Sequence, residues 1–395
     1  RRTDEYGGSI ENRCRFLVEV LTAVRAKVGD DFPVWIRMNA TEYHTENGMC
    51  PSEAERVAKI AEKAGANALH VSAYGNTGVA VAHTMGQMVN DECGYLDFAD
   101  QIKRVVQIPV IAVGRIKPDQ AVKALNEGKA DFIAMGRQLL ADHDLPNKLR
   151  NGQQKAIRPC IHCNVCVSKI YLNQRLACAV NSDVGTVPSA RSDSQCAAKN
   201  ILIVGGGPAG MEAARLTAEK GHRVTLCEKA GHLGGTAFLA AVVYAPIIPF
   251  VAYLKRSLAQ LPVNVHLNTT VDADYIRSLK PDLVLIASGA KRDAPKVAGI
   301  DGRNVFSGDE LQRIMAGDAD LAGQKVSLFQ RLMMLAGRLS GLMKSAFLLN
   351  KLSHLWLPLG QRVVIVGEGL VALELAEFLI ERRRHVTVLS ESNEW

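Results

Sequence analysis

The chain has 395 residues, of which 48% are hydrophobic and 22% are charged, and its formal net charge is +7. These values are ordinary for globular proteins, so they exclude a disordered chain, a collagen and a coiled-coil rod. The net positive charge is small, and the sequence contains no block of lysine or arginine, which argues against a nucleic-acid partner. The uncharged run 236–254 contains two prolines, so we expect a buried segment there and no membrane span.

Residues 1–150 alternate short β-branched runs with amphipathic patterns. The pattern at 52–64 predicts a helix, with Ser52 as its N-cap. The β-branched runs are long enough to suit parallel strands that are buried on both faces. They lie at 33–39, 68–72, 108–114 and 131–136. Such repeated units are typical of a (β/α) barrel or a doubly wound sheet.

Two Gly-Arg pairs favour the barrel. Gly114-Arg115 and Gly136-Arg137 each follow a predicted strand, and eight-stranded barrels commonly bind a phosphate after their last strands. Four units make only half of such a barrel, and the chain ends soon after one later β-α-β pattern. We therefore expect the sequence to be truncated at both ends.

Four of the nine cysteines are crowded together, at Cys160, Cys163, Cys166 and Cys178. A compact triplet with a fourth cysteine further along favours an iron–sulfur cluster, in which each iron takes a thiolate. Zinc sites more often use two separated Cys-x-x-Cys pairs, so zinc is the second alternative and free thiols are the third. We expect His162 to lie beside the cluster without being a ligand.

A dinucleotide fingerprint begins after the apolar run 201–204. It consists of Gly205, Gly207 and Gly210, opens a predicted helix at 209–220, and is followed by a second strand that ends at Glu228. The glycines let the backbone approach a pyrophosphate, and the acid binds ribose hydroxyls. Further small residues suited to close approach are Gly234, Gly235 and Gly289.

A second fingerprint follows the run 363–366 and consists of Gly367, Gly369 and Ala372. Ser390 stands where the first copy has its acid, and three arginines at 382–384 precede the strand. The sequence therefore does not decide between NADH and NADPH as the cofactor. Two such folds in series are typical of proteins in which a flavin and a nicotinamide exchange electrons.

These motifs resemble the cluster-containing branch of the Old Yellow Enzyme family, which includes 2,4-dienoyl-CoA reductase, 2-enoate reductase and trimethylamine dehydrogenase. The resemblance covers essentially the whole chain. The segments that carry it include RTDEYGGSIENR, GANALHVS, IPVIAVGRI, IRPCIHCNVC, GGGPAGMEAA and VVIVGEGLVALELAEFL.

The resemblance implies an α/β fold in which a partial (β/α)8 TIM barrel is followed by Rossmann-like domains. Residues 1–150 would form the C-terminal half of an FMN-binding barrel, and 151–198 the iron–sulfur segment and linker. An FAD-binding domain would follow at 199–310, then a helical connector at 311–360. The start of an NAD(P)H-binding domain would occupy 361–395.

The same resemblance implies the cofactors FMN, FAD, a [4Fe-4S] cluster and NAD(P)H. Electrons would pass from NAD(P)H to FAD, to the cluster and to FMN, and then as hydride to an activated C=C bond of an enoate, enoyl- or dienoyl-CoA or enone. Arg37 matches the arginine near the FMN ring. The FMN phosphate site would comprise Gly114, Arg115, Gly136 and Arg137.

The family's proton-donor tyrosine would precede Arg1, so Tyr74 is the candidate donor in this chain, with His83 as a second. The alternative functions are an amine dehydrogenase or demethylase of the trimethylamine type and an inactive partial gene product. We expect a small-molecule unsaturated carbonyl substrate and a cytoplasmic location, because no export leader is seen and the cluster is sensitive to oxygen. A homo-oligomer is compatible with the sequence.

Overall fold

The computed structural model describes residues 2–75, 92–185, 197–290, 298–311, 325, 331–332, 335–337, 345–357, 359–367 and 369–390. Its contacts divide the chain into two compact units, Arg1–Leu140 and Ala141–Trp395.

The first unit is built on four parallel strands, which confirms all four predicted strand positions. They form one sheet in the order β1-β2-β3-β4. The strands are β1 (Trp35–Tyr43), β2 (Ala68–Gly75), β3 (Val110–Ala112) and β4 (Phe132–Ile133). The helices are α1 (Ile10–Val28), α2 (Pro51–Lys63), α3 (Leu96–Lys103), α4 (Pro118–Asn126) and α5 (Arg137–Ala141), which ends at the boundary between the units.

One face of this sheet is buried along its length, whereas the other face is exposed in part, among the residues that the structure describes. Leu69, Val71 and Val110 are fully buried in the core between the strands and the helices. On the opposite face Trp35 and Phe132 are 57% and 58% exposed. The expectation of burial on both faces is therefore wrong here, because the four strands form an open sheet rather than a closed barrel.

Helix α2 begins earlier than predicted. Its N-cap is Cys50, which makes no side-chain capping hydrogen bond, and Pro51 occupies the first turn. Proline suits that position because its φ is already helical and it lacks the N–H that would stay unpaired there. The prediction of Ser52 as the cap is wrong for this reason.

The second unit contains two further parallel sheets. A four-stranded sheet has the order β7-β6-β5-β8 and a two-stranded sheet pairs β9 with β10. The strands are β5 (Asn200–Val204), β6 (Arg223–Cys227), β7 (Val263–His266), β8 (Leu283–Ile286), β9 (Arg362–Val366) and β10 (His385–Leu389). The first order is that of half a doubly wound dinucleotide fold. The predicted α/β class with parallel sheets is confirmed.

The helices of this unit cover the sheets and carry the connections. They are α6 (Leu145–Arg150), α7 (Val165–Tyr171), α8 (Pro208–Glu219), α9 (Thr236–Val243), α10 (Ile247–Ala259), α11 (Ala273–Leu279), α12 (Ala346–Ser353) and α13 (Gly369–Glu381). Most of the predicted helical connector at 311–360 lies outside the described residues.

The long uncharged run is divided between α9 and α10, with Pro246 at the N-cap of the second helix. Phe238 and Leu254 are buried in two different apolar clusters of the unit. Of the helices that could be searched in this structure, none is long and apolar enough to cross a membrane.

Candidate functional site

The glycine loop between β5 and α8 is shaped by close backbone contacts. Gly205 has φ +111°, and a Cβ atom on it would lie 2.3 Å from the carbonyl oxygen of Ala287. A Cβ atom on Gly210 would lie 1.8 Å from the carbonyl oxygen of Gly205. The fold itself therefore requires glycine at both positions, because any side chain would force the helix away from the sheet.

Gly207 is different, because the protein leaves room beside it. Its φ is −74°, and the nearest atom to a Cβ there would be the Cα of Gly235 at 4.0 Å. Gly235 and Gly234 have φ values of +52° and +127°, and the Gly234 N–H donates to the carbonyl of Gly206 at 2.8 Å. Two glycine segments thus meet at the N-terminus of α8, where a pyrophosphate would fit.

Glu228 lies at the same edge, directly after β6, and is only 6% exposed. Its carboxylate accepts hydrogen bonds from the N–H of Gly206 at 2.6 Å and of Ala230 at 2.8 Å. A carboxylate has about four acceptor positions, so capacity remains for ribose hydroxyls. Gly289, with φ +80°, follows β8 at this carboxyl edge. The glycine segments at the N-terminus of α8, together with Glu228 and Gly289, fit the dinucleotide part of FAD.

The second glycine loop follows β9 in the same way. Gly367 has φ +156° and its N–H donates to the carbonyl of Leu389 at the end of β10. Gly369, with φ +71°, begins α13, and Ala372 is buried in that helix. The third fingerprint position of this copy therefore packs inward as alanine.

The three arginines before β10 lie at the opposite end of that strand. His385 pairs with Arg362, and Leu389 pairs with Val366, which precedes the glycine loop. A strand of this length separates the two ends by about 13 Å. Arg382 is also buried and donates to Ser353 Oγ at 2.7 Å. The position of the arginines consequently gives no support for NADPH, and the choice between NADH and NADPH stays a prediction.

A polar face runs along the adjacent strands β1 and β2, from Arg37 near the start of β1 to Tyr74 at the carboxyl end of β2. Arg37 is paired in register with His70, and Arg37 Nη2 donates to Ser72 Oγ at 2.9 Å. Tyr74 lies two residues further along β2, on the same face, and is 38% exposed. Ser72 was not singled out by the sequence, although its alternation with His70 and Tyr74 could have shown the shared face. His83 lies outside the described residues.

His70 is held in an environment that disfavours its charge. Its Nε2 atom is buried and has no hydrogen-bond partner among the residues that the structure describes. Burial lowers the pKa of His70 from its ordinary value of 6.5, and the positive charge of Arg37 lowers it further. Folding therefore selects the neutral imidazole.

The two Gly-Arg pairs also lie at the carboxyl edge of the first sheet. Gly114 has φ +122°, and a Cβ on it would lie 3.0 Å from the ring of Tyr95. Arg115 has φ +51°. Gly136 follows β4 and directly precedes α5, which begins at Arg137. Backbone N–H groups and guanidinium groups at such an edge suit a phosphate dianion.

None of the four clustered cysteines forms a disulfide bond. Cys160 and Cys178 pack against the same apolar cluster, and Cys166 is buried in the first turn of α7. The backbone N–H of His162 donates to Cys160 Sγ at 3.4 Å. Within the described ranges, no three His, Cys, Asp or Glu side chains form a group that could hold a metal ion. Four thiols are a donor set that suits an iron–sulfur cluster, and ligation by them stays a prediction.

Comparison with known protein families matches the two parts of the chain separately. Residues 1–156 match the NADH:flavin oxidoreductase / NADH oxidase family, and residues 199–394 match the pyridine nucleotide-disulphide oxidoreductases. Fold and site thus define an oxidoreductase with flavin- and dinucleotide-binding domains. The chain belongs to the Old Yellow Enzyme-like family, in its 2-enoate reductase and dienoyl-CoA reductase type, as the sequence predicted. Its architecture is a TIM-barrel-type FMN oxidoreductase domain followed by a Rossmann-like domain.

Similar proteins include reductases and an amine dehydrogenase. An NADH oxidase of Thermoanaerobacter brockii is 36% identical over 98% of this chain and 54% of its own length. A cinnamate reductase of Clostridium sporogenes is 31% identical over 100% of the chain and 55% of its own length. An N,N-dimethylglycine/sarcosine dehydrogenase of Chromohalobacter salexigens is 37% identical over 74% of the chain and 43% of its own length.

A solved structure of 2-naphthoyl-CoA reductase superimposes with a TM-score of 0.79 at 30% identity, over 98% of this chain and 53% of that one. The chain therefore spans about half the length of the relatives that it matches.

We predict that Gly207→Ala weakens FAD binding roughly tenfold or more, because a methyl group would occupy the space of the pyrophosphate. The protein itself tolerates a Cβ there, so the thermal midpoint of the FAD-free protein should stay unchanged. Gly360→Ala is the matched control, because its nearest neighbour would also lie 4.0 Å away. FAD affinity, measured by fluorescence titration of the deflavinated protein, should fall only in the first variant. Equal FAD affinities in the two variants would refute the placement of the pyrophosphate beside Gly207.

We also predict that His70 makes the protein less stable in mild acid. The unfolded chain binds a proton near pH 6.5 and the folded chain resists it, so stability decreases as pH falls through that value. His70→Gln should reduce the difference in thermal midpoint between about pH 7.5 and about pH 5.5. His143→Gln, which changes an exposed histidine, serves as the control. An unchanged difference in the His70 variant would contradict the prediction.

Proposed function

We propose that the protein is an NAD(P)H-dependent ene-reductase that uses FMN, FAD and a [4Fe-4S] cluster. When bound, these groups would carry electrons from NAD(P)H through FAD and the cluster to FMN, and from there a hydride to the β-carbon of an unsaturated carbonyl compound. One NAD(P)H and one proton are consumed for each C=C bond that becomes a CH–CH bond. The substrate class is an enoate, an enoyl or dienoyl thioester, or an enone.

The observation that carries this proposal is the polar face of the first unit. Arg37, near the start of β1, donates a hydrogen bond to Ser72 on the neighbouring strand β2, in a domain that belongs to a flavin oxidoreductase family. A guanidinium group there would stabilise the negative charge of a reduced flavin. Relatives named for cinnamate and 2-naphthoyl-CoA reduction support the substrate class.

The proton would come from Tyr74, which lies on the same face as Arg37 and is accessible to solvent at 38% exposure. Hydride addition at the β-carbon builds negative charge on the carbonyl side, and a phenol can then protonate the α-carbon. We further propose that Arg115 and Arg137, with Gly114 and Gly136, hold the FMN phosphate.

In the second unit each remaining cofactor is assigned to one group of residues. Gly207 and Gly235 would approach the FAD pyrophosphate and Glu228 its ribose. Gly367 and Gly369 would do the same for NAD(P)H. The cluster would be held by Cys160, Cys163, Cys166 and Cys178. We keep the predicted domains for this assignment, with FMN in 1–150, the cluster in 151–198, FAD in 199–310 and NAD(P)H in 361–395, after the connector at 311–360.

We expect NADH or NADPH to bleach the flavin of the intact protein under anaerobic conditions. Cinnamate, a cinnamoyl thioester or cyclohexenone should then restore the flavin absorbance faster than buffer does, in a stopped-flow measurement. Restoration by none of these compounds would contradict the ene-reductase proposal. Bleaching by dimethylglycine with no response to NADH would instead support the amine dehydrogenase alternative, towards which the dimethylglycine dehydrogenase relative points.

Tyr74→Phe should slow this reoxidation by roughly a hundredfold, the usual lower range for loss of a general acid. Reduction by NAD(P)H should keep its rate, because the phenol takes no part in it. Tyr171→Phe, which changes a tyrosine that is 61% exposed in the other unit, is the control. Reoxidation of the Tyr74 variant at the rate of the control would show that the proton has another source.

A further inference from the structure

One buried cation connects the two ends of the cysteine segment. Arg158 is 6% exposed and lies two residues before Cys160. Its Nη1 atom donates to the carbonyl oxygen of Val180 at 3.1 Å and to Oδ1 of Asn181 at 2.9 Å. These two acceptors follow Cys178 by two and three residues. A single side chain therefore joins the backbone that enters the cysteine triplet to the backbone that leaves the fourth cysteine.

The same guanidinium group reaches the dinucleotide fold. Its Nη2 atom contacts Glu212 Oε1 at 3.1 Å, and Glu212 lies on α8, the helix that begins after the glycine loop. Glu212 is also paired with Arg215 on the same helix at 2.7 Å. The Nε atom of Arg158 donates to Tyr253 Oη at 3.3 Å. The guanidinium thus contacts three separate segments of the unit.

Two further hydrogen bonds hold the backbone on either side of Cys160. The N–H of Arg158 donates to Asp142 Oδ2 at 2.7 Å, and Asp142 is buried and paired with Lys148. The hydroxyl of Tyr244 donates to the carbonyl oxygen of Ile161 at 2.8 Å. The start of the triplet is therefore fixed, and Arg158 ties it to the segment after Cys178.

We propose that Arg158 is a positioning residue that sets the place of Cys178 relative to Cys160, Cys163 and Cys166 and fastens this segment to α8. The inference rests on the proposed function, because it concerns the cluster that the four thiols would hold. Only an arginine suits this position, since its planar group carries five N–H donors that point in several directions. Lysine keeps the charge but cannot reach the three segments with one ammonium group.

The test compares wild-type protein with Arg158→Lys and Arg215→Lys, all purified without oxygen as the intact protein. Both arginines are buried and both pair with Glu212, but only Arg158 contacts the segment after Cys178. The readouts are iron and acid-labile sulfide per chain, the electron paramagnetic resonance spectrum after dithionite reduction, FAD content and thermal midpoint. None of them depends on turnover.

We expect Arg158→Lys to lose at least half of the iron and sulfide, or to show a shifted and broadened resonance spectrum, while FAD content stays at the wild-type level. Arg215→Lys should keep the wild-type spectrum even where its thermal midpoint falls. Wild-type iron content and an unchanged spectrum in Arg158→Lys would overturn the inference while leaving the proposed function intact. Wild-type protein without iron would overturn both.

Asn181→Ala provides a second variant in case Arg158→Lys does not fold. It removes one acceptor of Arg158 near Cys178 and leaves the contacts to α8 in place. It should change iron content or the spectrum in the same direction and to a smaller extent. An Asn181→Ala protein with a wild-type spectrum and full iron content would then overturn the inference.

Discussion

Parallel pairing of the strands is the constraint on which every candidate site depends. In a parallel sheet all strands end at one edge, so loops that are distant in sequence meet there. Tyr74 lies at such an edge in the first unit, at the end of β2. In the second unit, Gly205 and Glu228 lie at the carboxyl edge of β5 and β6. The order and direction of the strands therefore determine where the candidate sites of this chain lie.

The glycines of the first fingerprint separate demands of the fold from demands of a ligand. Gly205 and Gly210 are required by contacts below 2.5 Å that any Cβ would make with the protein itself. Gly207 has no such neighbour, which supports the proposal that its small size serves a bound pyrophosphate. A glycine that the fold does not require is therefore stronger evidence for a cofactor than a glycine that the fold does require.

Local patterns predicted the elements well because they depend on neighbouring residues. All four strands of the first unit and both glycine loops lie where the periodicity placed them. Features that depend on long-range contacts were missed. Arg158 reaches residues that are 22, 23 and 54 positions away, and no spacing reveals such a network. Likewise, only the register shows at which end of the strand the arginines before β10 lie.

The central claim, that one protein carries two flavins and an iron–sulfur cluster, is tested most directly by its cofactor content. The intact protein should be purified without oxygen and analysed for iron, zinc, sulfide, FMN and FAD together with its visible spectrum. We predict about four irons and one of each flavin per chain, as four thiolates and two flavin-type sites require. Zinc in place of iron, or FAD without FMN, would contradict it.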